Sequence, residues 1–136
     1  MALGRWIELA KKREGDIAAE VSLFVREACR EGDVVLFGSR ARGTHHSLSD
    51  WDIAVISASG VYRVEAREFG QVFHIPLGEL PRVLEFSMVV LDVAFEGMFL
   101  CGRGDAWAEF IKAAGEYVEK RRLVKTPAGW FPESLK

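Results

Sequence analysis

Two short apolar runs on either side of a polar loop constrain this chain most. Asp33 to Phe37 (DVVLF) ends in the pair Gly38-Ser39, and ten residues after that pair Asp50-Trp51-Asp52 leads into a second run, Asp52 to Ser57 (DIAVIS). Apolar runs of this length, rich in Val and Ile and bounded by glycine or turn residues, have the composition of buried strands. The segment between them, Gly38 to Ser49 (GSRARGTHHSLS), is rich in Gly, Ser, Thr and His and has no apolar period, so it reads as a loop.

The rest of the chain supplies helices around these strands. From Arg5 to Arg30 apolar residues recur at three- and four-residue steps, which predicts a helix with a possible break at Gly15 and Asp16. Val61 to Phe69 alternates charged and apolar residues, Gly70 interrupts it, and Gln71 to Leu77 is again extended in character, so a hairpin is expected. From Leu80 onward Val83, Leu84, Ser87, Met88, Leu91, Phe95, Met98 and Phe99 fall on one helical face behind Pro81, which predicts a helix up to Gly97. The β-branched valines between Met88 and Phe95 leave a strand open as the other reading there. A last helix is expected over Ala106 to Arg122, capped by Asp105 and ending on Lys120, Arg121 and Arg122. Residues 123–136, with Pro127, Gly129 and Pro132, read as an irregular tail. The order helix, strand, strand, hairpin, helix, helix gives an α+β fold, loosely α/β, with one mixed sheet in a single domain over 1–136.

Composition narrows the function classes. The 136 residues are 49% hydrophobic and 28% charged, an ordinary globular balance, and the formal net charge is −2. Nothing in that total draws the chain to nucleic acid or to an anionic membrane, so any polyanion must be held locally. No apolar run approaches the roughly 18 residues a membrane helix requires. Cys29 and Cys101 stand far apart in apolar stretches, which predicts free buried thiols and a cytoplasmic setting.

The chemistry concentrates in Phe37 to Val55. Residues two apart on a strand face the same side, so Asp50 and Asp52 can present their carboxylates together if Asp50 is already extended. Paired hard oxygen ligands suit Mg²⁺, which keeps open positions for water and substrate phosphates. Gly38 lets the backbone approach a phosphate closely, Ser39 offers a hydroxyl and an amide N–H, and Arg40 and Arg42 add positive charge. Each piece alone also has a plain reading: a DxD is common at strand starts, and Gly-Ser with two arginines is common in solvated loops. Trp107 and Phe110, like Trp6, are at helical spacing and read as core. His45 and His46 are assigned no role.

Taken together at this spacing, the Gly38-Ser39 pair and the Asp50-Trp51-Asp52 motif resemble those of the minimal nucleotidyltransferases of the DNA polymerase beta superfamily. The stretches VVLDVAFEGMFLCG and KRRLVKTPAGWFP also resemble segments of archaeal members, so the likeness extends over most of the chain. It implies a polymerase-beta-like fold and transfer of a nucleoside monophosphate, AMP from ATP, to an acceptor hydroxyl. It further implies two Mg²⁺ ions, or Mn²⁺ in their place, on carboxylates that include Asp50 and Asp52, with Gly38, Ser39, Arg40 and Arg42 toward the nucleotide. Many members are antitoxins that pair with a HEPN-domain toxin and modify its tyrosine.

The sequence departs from that pattern at the third carboxylate, which the resemblance places on a later strand near Val72 to Leu77. VFHIPL holds no acid there. His74, Asp92, Glu65 and Glu68 are the alternatives, together with the absence of any third ligand. A catalytically degenerate module that neutralises a HEPN partner by binding alone is therefore the competing expectation.

Overall fold

In the computed structural model, which describes residues 2–46 and 49–133, a long helix α1 (Ala2–Ala28) precedes strand β1 (Asp33–Phe37). A one-turn helix α2 (Ser39–Arg42) and strand β2 (Trp51–Ser57) follow, then the hairpin of β3 (Arg63–Arg67) and β4 (Gly70–Pro76). A 3-10 turn (Leu77–Glu79) leads into α3 (Leu80–Phe86) and α4 (Met88–Glu96), strand β5 (Met98–Cys101) and helix α5 (Asp105–Arg121). A terminal hairpin of β6 (Leu123–Thr126) and β7 (Gly129–Pro132) completes the fold. Ser47 and Leu48 of the expected loop, the side chain of Trp6 and residues 134–136 lie outside the described residues. No helix among the described residues is long and apolar enough to cross a membrane.

The central sheet has the order β3-β4-β2-β1-β5 and is mixed: β1 runs antiparallel to β2 and β5, whereas β4 runs parallel to β2. Strand alternation divides its residues between two cores. Val34, Leu36, Ile53, Val55 and Val72 face α1, whose Val21 and Ala28 are buried against them. Val35, Ala54, Ile56, Phe73 and Ile75 face α3, α4 and α5, packing with Val83, Val90, Leu91 and Phe110. Because both faces are covered, the strands read as continuous apolar runs, and this made β1 and β2 visible in the sequence.

The α+β class and the hairpin are as the sequence predicts, and several local expectations are corrected. α1 runs unbroken through Gly15 and Asp16, and a Cβ at Gly15 would meet only open space. The single helix expected over Leu80 to Gly97 is two, separated by extended backbone at Ser87 (φ −116°, ψ 102°). The helical reading of Met88 to Phe95 holds, but Met98 and Phe99 belong to β5. At Gly97 the backbone lies so close to the Val93 carbonyl and Val35 that a side chain has no room, and the chain turns there to pair with β1. Residues 123–132, expected to be irregular, form the β6–β7 hairpin, with Trp130 buried against α4. Cys29 and Cys101, expected to be free thiols, are joined as a disulfide between the end of α1 and β5, with Cα atoms 5.7 Å apart. The thiol argument for a reducing compartment therefore falls.

The cap of α5 is also not the expected one. Asp105 occupies the first turn and is exposed, while the buried carboxylate of Asp33, at the start of β1, does the capping. Its Oδ1 accepts the Gly104 N–H at 3.0 Å and its Oδ2 the Trp107 N–H at 2.8 Å. Backbone donors at a helix start that have no carbonyl partner are thus satisfied by an acid from another element. Asp33→Ala should leave two donors without a partner in a dry environment and cost about 2 kcal/mol in urea unfolding, with Asp33→Asn milder because one acceptor oxygen remains.

Candidate functional site

The register of β1 and β2 pairs Phe37 with Asp52, so the chain leaves β1 directly beside that carboxylate. The residue making the exit is Gly38, at φ 78° and ψ −158°. A Cβ on it would collide with Asp52 Oδ2, and an L side chain rarely adopts that φ, so the position requires glycine for both reasons. One turn of helix follows at once, with the Arg42 N–H donating to the Gly38 carbonyl and the Thr44 N–H to the Ser39 carbonyl. Gly43, left-handed at φ 75°, ends it. Ser39 is thereby held at the strand-to-helix turn next to Asp52.

Asp52 is half-buried, on the face of the sheet that carries Ala54 and Ile56, while Asp50 is exposed just before β2. Burial, then repulsion from Asp50, pushes the Asp52 carboxyl above its ordinary pKa, and Arg42 opposes them. Asp50, Asp52 and Arg42 therefore share one electrostatic neighbourhood. Arg42 also pairs with Glu96 at the end of α4, Nη1 to Oε2 at 3.1 Å. Glu96 was missed in the sequence because it lies 54 residues from its partner and carries no motif.

Arg40 is placed differently. Its Nε and Nη2 donate to the Ser49 carbonyl at 3.2 and 3.0 Å, and its guanidinium lies 4.1 Å from the centroid of the Trp51 ring. Trp51 packs on the α1 side, opposite to Asp52, so Arg40 ties the end of the loop to its beginning. The Trp51 N–H donates to the Phe69 carbonyl at 2.8 Å, which anchors the start of β2 to the β3–β4 turn.

The candidates for a third ligand separate cleanly. His74 alternates with Phe73 and so lies on the α1 side, where its Nε2 hydrogen-bonds Glu65 Oε1 at 2.9 Å. Hydrogen bonds from His74 and then Arg67 hold the Glu65 carboxyl below its usual range. Asp92 accepts from Lys125 Nζ at 2.6 Å and Trp130 Nε1 at 2.9 Å, tying α4 to the terminal hairpin. Glu68 is exposed in the β3–β4 turn. The β4 residue directly beside Asp52 is Gln71, one position before the stretch in which an acid was expected. Among the described residues no three His, Cys, Asp or Glu side chains form a group able to hold a metal ion. Asp50 and Asp52, whose mutual repulsion a cation would relieve, are the oxygen donors that would hold an Mg²⁺ completed by water and phosphate. They do not supply a full protein shell for two.

Comparison with known proteins gives the family and supports the fold. Residues 19–96, more than half of the chain, match the family model described as a nucleotidyltransferase domain. The chain belongs to that family. No curated protein matches the sequence at a significant level. Among solved structures, a double Asp-to-Glu mutant of the toxin-antitoxin pair MntA-HpeT is similar at TM-score 0.50 and 20% identity, covering 76% of this chain and 91% of that one. A toxin-antitoxin structure with AMP-PNP is similar at TM-score 0.42 and 24% identity, covering 67% and 80%. The first of these likenesses supports the fold.

The raised pKa of Asp52 has a consequence for stability. Between its unfolded value, about 3.9, and its higher folded value, the folded chain binds more protons than the unfolded one, so stability falls as pH rises through that window. Asp52→Asn should therefore raise the thermal midpoint at pH 7 in metal-free buffer. The gain should shrink as pH is lowered toward 4, as followed by circular dichroism.

Proposed function

We propose that the chain is an active nucleotidyltransferase that moves AMP from ATP onto a hydroxyl of a protein acceptor, and that this acceptor is the HEPN-domain toxin of a toxin-antitoxin pair. The carrying observation is the close approach of Asp52 to Gly38 at the turn, with Asp50 and Arg42 in the same electrostatic neighbourhood as Asp52. Family membership supports the class of reaction, and the solved MntA-HpeT pair, whose fold is similar, supports the setting.

In this reading the acceptor oxygen bonds to the α-phosphorus, the bond from that phosphorus to the bridging oxygen breaks, and pyrophosphate leaves with the electron pair. The hydroxyl proton passes to solvent. Mg²⁺, when bound, supplies Lewis-acid neutralisation of the phosphate charge. Asp50 and Asp52 would hold it. Gly38 keeps the backbone low enough for phosphate to approach, the Ser39 hydroxyl and N–H donate to phosphate oxygens, and Arg42 offers a cation once Glu96 yields it. Arg40 supports the nucleotide indirectly, by holding the loop closed through Ser49 and Trp51.

A second reading is favoured by two observations: no three-carboxylate group among the described residues, and the exposure of Phe86, Met88, Val89, Phe95, Met98, Phe99 and Leu100. Exposed apolar side chains close together in sequence suit a partner protein. The chain would then neutralise a HEPN partner by covering it.

Calorimetric titration of ATP with and without Mg²⁺ separates the two. Metal-dependent binding that weakens at least tenfold in Asp50→Ala/Asp52→Ala is expected for the transferase, with a mass gain of one AMP on the acceptor. Absence of nucleotide binding in both proteins, with a toxin complex that survives the double substitution, would move the assignment to the binding module.

A further inference from the structure

The parallel register of β2 and β4 sets Asp52 beside Gln71, Ala54 beside Phe73 and Ile56 beside Ile75. Ala54, Ile56, Phe73 and Ile75 share one core, so Asp52 and Gln71 emerge on that same face, on strands about 4.8 Å apart. Gln71 is exposed, at the open end of the face. The next same-face residue, Phe73, is buried with its ring 5.3 Å from that of Phe37. On the other side of Asp52 the paired residue is Phe37 itself. Both strands flanking the carboxylate thus present neutral side chains to it. Of the other acids, Glu96 is engaged by Arg42, and Asp92 by Lys125 and Trp130.

We infer that Gln71 makes this a one-cation site: Asp50 and Asp52 hold a single divalent ion that travels with the nucleotide, and the Gln71 amide takes the place of the ligand a second ion would need. This rests on the transferase reading above. A carboxamide is one carbonyl acceptor and two N–H donors without charge. At that position it can hydrogen-bond the acceptor hydroxyl, or donate to a phosphate oxygen that a third carboxylate would meet only through a metal or with repulsion. With one cation, the approach of the acceptor is set by hydrogen bonding at Gln71 instead of by coordination.

The test is a count of bound Mn²⁺. Free Mn²⁺ is followed by electron paramagnetic resonance as the ion is titrated into the full chain saturated with α,β-methylene-ATP, with the nucleotide alone as reference. One ion per chain is expected for the wild type and two for Gln71→Glu, with circular dichroism confirming that the variant keeps its fold. Glu68→Gln and Glu96→Gln should each leave the count at one. Two ions in the wild type, or one ion in a folded Gln71→Glu, overturns the inference while leaving the transferase reading intact. No bound ion in either protein overturns both.

Discussion

The close approach of Gly38 to Asp52 is the contact on which the site depends. Antiparallel pairing of β1 with β2 makes Phe37 and Asp52 direct partners, so the chain has to turn away at the next residue without striking the carboxylate. Only a residue lacking Cβ can do so at φ 78°. The turn then determines where Ser39 and Arg42 fall, and Asp52 is partly shielded from water by the same packing. Its raised pKa reflects an arrangement in which one carboxylate is held in place at the expense of its solvation.

The rest of the fold keeps that end of the sheet rigid. The Trp51 N–H is fixed to Phe69, Arg40 closes the loop onto Ser49, and α1 covers the reverse face. At the opposite end of β1, Asp33 binds the start of α5. One five-residue strand therefore joins the aspartate site to the helical layer. The two edges of the sheet differ: β3 alternates charges at Arg63, Glu65 and Arg67, which discourages strand addition, whereas β5 exposes Met98, Phe99 and Leu100.

Much of this was legible because it depends on neighbours in the sequence. Buried strands of the DVVLF and DIAVIS type declare themselves by composition, the Gly70 hairpin by its break, and the aspartate pair by its two-residue step. The misreadings share a cause. Ser87 is unremarkable in sequence, and it separates α3 from α4 because the chain has to follow the core. Met98 and Phe99 continue a helical pattern, yet edge pairing with β1 takes them. Trp130 and Lys125 lie in a segment that looks irregular until Asp92 receives both. Cys29 and Cys101 are 72 residues apart and meet only across the end of β1.

The sequence by itself determined β1, β2, the Gly70 hairpin, the helices α1 and α5, the Gly-Ser turn and the carboxylate pair, since period and turn chemistry act over a few residues. Tertiary structure alone decided the neighbours of Asp52, because strand register and facing are non-local and a shift of one residue reverses every side chain. It sent His74 and Glu65 to the far face, committed Asp92 to the terminal hairpin, and placed an uncharged Gln71 next to Asp52.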